Sequence, residues 1–165
     1  MQYLIVFGVG LLGLFAMAVF FGAPYLPTLR PQAQAAFDLL DLQQGQTILE
    51  LGSGDGKVLL LAAQAGYKAI GIEINPLLVL ISIWRLRRYR AQVRIVWGNF
   101  WWKQWPDADG VFVFLLDRFM PKLDQKMSAY LRPLASVTFQ VPNRIPDAEK
   151  NGVFYYDYRP TPRSS

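Results

Sequence analysis

The chain has 165 residues, of which 53% are hydrophobic and only 18% charged, with a net charge of +5 and a pI near 9.6. That size suits one domain with an appendage, and the apolar excess makes the appendage greasy. Cysteine and histidine are both absent, which removes disulfides, thiolate nucleophiles, Ser-His-Asp and Cys-His catalysis and most transition-metal sites, so no metal is expected.

The chain opens with "YLIVFGVGLLGLFAMAVFFG", residues 3–22, a run without a charge and long enough as a helix to cross ~30 Å of hydrocarbon. The first charged side chain is Arg30, so the basic start of a secretory signal is missing and residues 1–23 are predicted to be an uncleaved transmembrane anchor. Basic residues follow the span, which predicts a single-pass membrane protein with its bulk facing the cytoplasm. Pro24, Pro27 and Pro31 make residues 24–32 an extended connector. Residues 33–160 are left for the domain and 161–165 for a frayed tail.

Pro31 suits a first helical position, and Gly45 stops the helix that follows. Apolar runs at 47–51, 68–73, 93–97, 111–116 and 136–141 read as strands, separated by helical segments near 57–65, 76–90 and 121–131. Strands apolar on both faces and alternating with helices predict an α/β, doubly wound, mainly parallel sheet. Residues 153–158 are expected to form an edge strand, the one strand after Val141.

"ILELGSGDGK", residues 48–57, puts Gly52, Gly54 and Gly56 where a strand meets a helix N-terminus, a place that favours close main-chain approach by an anionic group. Glu73 follows about 20 residues later at the end of the next strand, the position that accepts ribose hydroxyls. The dinucleotide spacing fails because Lys57 stands where the third glycine belongs, and the phosphate loop fails because Val58 follows that lysine. Glu50, inside the strand, suits a ligand that carries an ammonium or sulfonium. Together these residues point to S-adenosylmethionine.

The stretches "ELGSGDGK", "GIEINP", "GNFW" and "APYLPT" resemble the class I S-adenosylmethionine-dependent methyltransferases. The likeness is strongest to the membrane-anchored protein-lysine methyltransferases related to the ATP synthase c-subunit lysine methyltransferase. The resemblance implies a Rossmann-like seven-strand fold, shortened here by the missing strand after Val141. It also implies that Glu50, Gly52, Ser53, Gly54, Asp55 and Gly56 surround the methionine end of the cofactor, Glu73 and Ile74 the ribose, and Asn99 and Phe100 the adenine, with Tyr25 and Thr28 lying over it. Asn99 stands where an aspartate is common in the family, and an amide can still pair with adenine.

"VWGNFWWKQW" concentrates tryptophans after the third strand. They are candidates for a lysine cage, a lipid interface or plain packing, with Trp101 placed nearest the cofactor. Asp117 ends the fourth strand, on the side where ligands bind in such sheets. It is the candidate for orienting an incoming lysine, with helix capping or a salt bridge to Arg118 or Lys122 as the structural alternative. Gln140, Pro142 and Asn143 are further rim candidates. The arginines of "WRLRRYR" suit either a solvated helix end or anionic lipid. The expected activity is N-methylation of a protein lysine, with a membrane protein and the bilayer as partners and no nucleic acid. The alternatives are a lipid or small-molecule acceptor, or a non-catalytic cofactor-binding tether.

Overall fold

The computed structural model describes residues 30–160. The expected anchor, most of the connector, Tyr25, Thr28 and the tail all lie outside the described residues. Among the described residues, no helix is long and apolar enough to cross a membrane.

Seven strands form one sheet in the order β3-β2-β1-β4-β5-β7-β6. They are β1 (Thr47–Leu51), β2 (Lys68–Glu73), β3 (Val93–Trp97), β4 (Gly110–Val113), β5 (Leu134–Val137), β6 (Ala148–Lys150) and β7 (Val153–Tyr156). The first five run parallel, while β7 is antiparallel to both β5 and β6. The described helices are α1 (Arg30–Leu40), α2 (Lys57–Gln64), α3 (Pro76–Arg85) and α4 (Met120–Tyr130). Side chains alternate across a strand, so each face of β1 carries its own core. Ile48 belongs with Phe37, Val58 and Ala62 on one side, and Leu49 and Leu51 with Leu123 and Met127 on the other. Covering both faces allows a parallel sheet to be apolar throughout.

The carboxyl-terminal end corrects the sequence expectation. The sheet is not shortened: two strands follow Val141, and β7 lies inside the sheet rather than at its edge. Between them Asn151 and Gly152 both take positive φ, 52° and 72°, the tight hairpin turn that an Asn-Gly pair favours. β6 reads "AEK", with no β-branched or aromatic residue to mark it.

Two other boundaries shift for local reasons. β5 stops at Val137 because Thr138 turns to φ 70°, and the Ser136 hydroxyl donates to the Phe139 carbonyl at 2.7 Å. α3 ends at Arg85, where the buried Leu86 leaves helical geometry and donates its N–H to the Ser82 carbonyl at 2.9 Å. A short 3-10 turn, Arg87–Tyr89, follows.

The sheet and the β1–α2 turn meet closely at Gly71. A Cβ there would lie 2.5 Å from Ser53 Oγ and 2.6 Å from Leu59 Cδ1. Gly71→Ala is therefore expected to lower unfolding free energy by about 1–3 kcal/mol, the usual cost of overpacking, as measured by chemical denaturation.

Candidate cofactor and acceptor site

Gly52, Gly54 and Gly56 all sit in the left-handed region, at φ 79°, 53° and 77°, a conformation that costs glycine little. The turn they form is tied to β2. The N–H groups of Gly52 and Ser53 donate to the Ile72 carbonyl at 2.8 and 3.1 Å, and that of Gly54 donates to Glu73 Oε2 at 2.8 Å. The glycines serve different ends. A Cβ on Gly56 would strike Ser82 and Leu86, so this glycine lets α2 approach α3, whereas a Cβ on Gly52 would meet nothing within 4 Å. Bare main chain at Gly52 therefore faces open space. The Ser53 hydroxyl beside it is buried without a hydrogen-bond partner.

Glu50 lies under this turn. Its carboxylate is buried and accepts the Leu59 N–H at the start of α2, while Oε2 has no partner. Burial first, then the Glu73 and Asp55 carboxylates, push its pKa well above the usual glutamate range. A buried acid with an unused oxygen and acidic neighbours is suited to a cationic group such as an amine.

Glu73 is also buried. Its Oε1 accepts the Asn75 N–H at 2.7 Å and its Oε2 the Gly54 N–H. Each oxygen retains a second acceptor site, enough for a ribose diol. The Glu73 carbonyl accepts the Gly98 N–H at 2.8 Å, and the Ile74 carbonyl accepts the Trp97 indole N–H at 3.1 Å. The ends of β2 and β3 are thus joined beside the turn. Just beyond, Asn99 Oδ1 accepts the Trp101 N–H at 2.8 Å, which leaves its amide nitrogen for a base.

The aromatic loop forms a second wall. Phe100 and Trp101 rings lie 4.6 Å apart, Trp101 and Phe119 6.1 Å apart, and Lys122 Nζ rests 4.8 Å from the Trp101 ring centre. Lys126, on α4, donates to the carbonyls of Phe100, Trp101 and Lys103 at 2.9, 3.3 and 3.3 Å and sits over Trp105. Burial, then the neighbouring Lys122, lower its pKa.

Glu50, Gly52, Ser53, Gly54, Gly56, Glu73, Ile74, Asn99 and Phe100 come together at the carboxyl ends of β1, β2 and β3. Asp55 is engaged differently. Its carboxylate pairs with Arg85 at 2.6 Å and Lys57 at 3.4 Å, and Arg85 also donates to its carbonyl. It therefore fastens the turn to α3. Asp117 is exposed at the start of a 3-10 turn after β4. Neither nearby cation pairs with it, since Arg118 lies over Phe119 and Lys122 over Trp101. Gln140, Pro142 and Asn143 are exposed beyond β5.

Sequence reasoning missed Asn75 and Lys126, and it grouped Arg85 with the solvated or lipid-facing arginines, whereas Arg85 is bound to Asp55. Asn75 caps α3, accepting from the N–H groups of Leu77 and Leu78, and Asn directly before Pro76 was a legible signal. The partners of Arg85 and Lys126 lie 23 to 30 residues away in sequence, where no local pattern marks them.

Residues 50–148 match the family model of the ANTKMT methyltransferase domain. The chain belongs to this family. Among its relatives, the ATP synthase c-subunit lysine N-methyltransferase of Xenopus laevis is 32% identical over 86% of this chain and 68% of its own length. The Rattus norvegicus protein of the same name is 30% identical over 75% of this chain, which spans 59% of its length. A protein-lysine N-methyltransferase of Saccharolobus islandicus is 28% identical over 67% of this chain and 71% of its own. The fold of an RNA methyltransferase from Salinibacter ruber, solved with S-adenosyl-L-homocysteine, superimposes with a TM-score of 0.76 at 24% identity, covering 85% of this chain and 98% of that one. As an ANTKMT-family methyltransferase, the chain uses S-adenosylmethionine. The unpartnered Glu50 oxygen and the spare acceptor sites of Glu73 fit that molecule's amine and ribose, and the open space at Gly52 leaves room for it against the main chain.

Because the native pKa of Glu50 is raised, the stability it contributes below the ordinary glutamate pKa is lost as pH rises through the native value. Glu50→Gln should remove that loss. The ligand-free variant should unfold at a higher temperature than the parent near pH 8 and gain less near pH 4, in scans at about these two values, while calorimetry shows weaker binding of S-adenosylmethionine.

Proposed function

We propose that this chain N-methylates lysine side chains of a protein resident in or beside a membrane, and that residues 3–22 anchor it there with the domain on the cytoplasmic side. The observation that carries the lysine acceptor is the Trp101 ring, whose face already accommodates one lysine ammonium, that of Lys122. Relatives named for the ATP synthase c-subunit and for adenine nucleotide translocase as lysine substrates support a protein acceptor.

S-adenosylmethionine, when bound, supplies an electrophilic methyl group on a sulfonium. The protein's part is to hold and orient. The bare turn at Gly52–Gly56 lets the methionine end lie against the main chain, Glu50 takes the amine, Glu73 the ribose, and Asn99 with Phe100 the base; Tyr25 and Thr28 would close over them. An incoming lysine must lose a proton before its nitrogen can attack, which costs about 4.6 kcal/mol for a pKa of ~10.4 at pH ~7. A poorly hydrated aromatic wall at Trp101 and Phe119 reduces that cost by disfavouring the charged amine. Asp117, exposed and without an ion pair among the described residues, steers the ammonium toward this wall from the rim. Fixing amine and methyl as a near-attack pair can contribute ~7 kcal/mol or more.

The test is to incubate the full chain with membranes that lack it and with isotopically labelled S-adenosylmethionine. Label is expected on protein lysine, and its recovery in the organic extract instead would overturn the protein acceptor. Trp101→Ala should lower kcat/KM at least about tenfold, ~1.4 kcal/mol, with cofactor affinity preserved. Asp117→Asn should mainly raise the acceptor KM.

A further inference from the structure

α3 is apolar on two sides. Val79 and Ser82, with Leu86 just past its end, face the domain and are buried, while Leu77, Leu80, Ile81 and Trp84 form an outward stripe at i, i+3, i+4 and i+7. Leu80 is 64% exposed and Trp84 67%. Trp97, on the adjoining edge strand β3, is 63% exposed, and its indole N–H is fixed to the Ile74 carbonyl at the head of α3. Contiguous exposed apolar surface of this kind marks an interaction site.

The surrounding charge is of one sign. Between Asn75 and Asp107 the sequence contains Arg85, Arg87, Arg88, Arg90, Arg94 and Lys103, and no aspartate or glutamate. Arg85 is committed to Asp55, but Arg87, Arg88 and Arg90 are exposed just past the end of α3. Arg87 stacks 4.6 Å from the centre of the Trp84 ring and donates to the Trp84 carbonyl at 2.9 Å, which holds a cation and an indole together at one level.

We propose that this face, α3 with the β3 edge, lies in the headgroup region of an anionic lipid bilayer. Aliphatic side chains would enter the acyl boundary, tryptophans the interface, and arginines the phosphate layer, the arrangement of an interfacial amphipathic helix. A second copy of the chain fits poorly, because a two-fold contact would set these arginines against one another. Residues 3–22 carry no charge and would leave the arginines unanswered. α3 starts three residues after Glu73 and the seven residues between Gly22 and Arg30 reach at most ~25 Å, so docking would hold the cofactor site at a fixed height beside the membrane. The proposal stands independently of the lysine acceptor.

The absence of native cysteine makes single-site labelling clean. Leu80→Cys and, as a control in β6, Glu149→Cys carry an environment-sensitive fluorophore in the full chain, reconstituted into vesicles of phosphatidylcholine with or without phosphatidylserine. Strong quenching by doxyl-labelled phospholipid is expected at residue 80 in the anionic vesicles and little at residue 149. Replacing Arg88 and Arg90 by Gln should reduce the quenching at residue 80 severalfold. Apolar emission that doxyl lipid does not quench would mean that residues 3–22 or a second copy covers the face. That result would overturn the proposal, as would a water-exposed probe in both vesicles or quenching indifferent to phosphatidylserine and to the arginines.

Discussion

The Glu73 carboxylate holds two main-chain N–H groups from separate segments, those of Gly54 and Asn75, one on each oxygen. Charge-assisted bonds of this kind are stronger than neutral ones, and the turn needs them, because three glycines in the left-handed region surrender more backbone freedom than other residues would. The same bonds place Asn75, whose side chain caps α3. One buried acid thereby sets the shape of the turn, the start of the next helix and the floor on which a ribose can sit. Glu50 is the complementary constraint: fixed on one side by the Leu59 N–H and surrounded by acids, it is an ionisable group whose environment favours a cationic guest.

The aromatic wall depends on a different tether. The aromatic loop is irregular backbone, and three of its carbonyls converge on the single ammonium of Lys126. The indole N–H of Trp105 also returns to the Phe100 carbonyl at 2.8 Å. Packing among Phe100, Trp101 and Phe119 is thus backed by polar bonds to α4. The aromatic wall is positioned by the helix after β4, whereas the glycine turn is positioned by β2.

What the sequence disclosed follows the range of the physics involved. The glycine turn and the spacing to Glu73 were legible because strand, turn and helix are consecutive and each glycine's conformation is a local property. The parallel strands announced themselves through apolar runs. The roles of Asp55 and Lys126 were not legible, since their partners Arg85 and the 100–103 carbonyls are brought near only by the folded sheet. β6 was missed for another reason: three residues of low strand propensity say nothing by themselves, although the Asn151-Gly152 pair beside them did carry the hairpin.

The hairpin's outer strand has one more consequence. β6 is three residues long, Glu149 and Lys150 are exposed, and Lys150 is drawn 2.6 Å from Asp38 on α1. An open sheet margin ordinarily invites another chain to add a strand, and brevity with charge is how such margins are blunted. The last rung is therefore a poor template for strand addition from another copy.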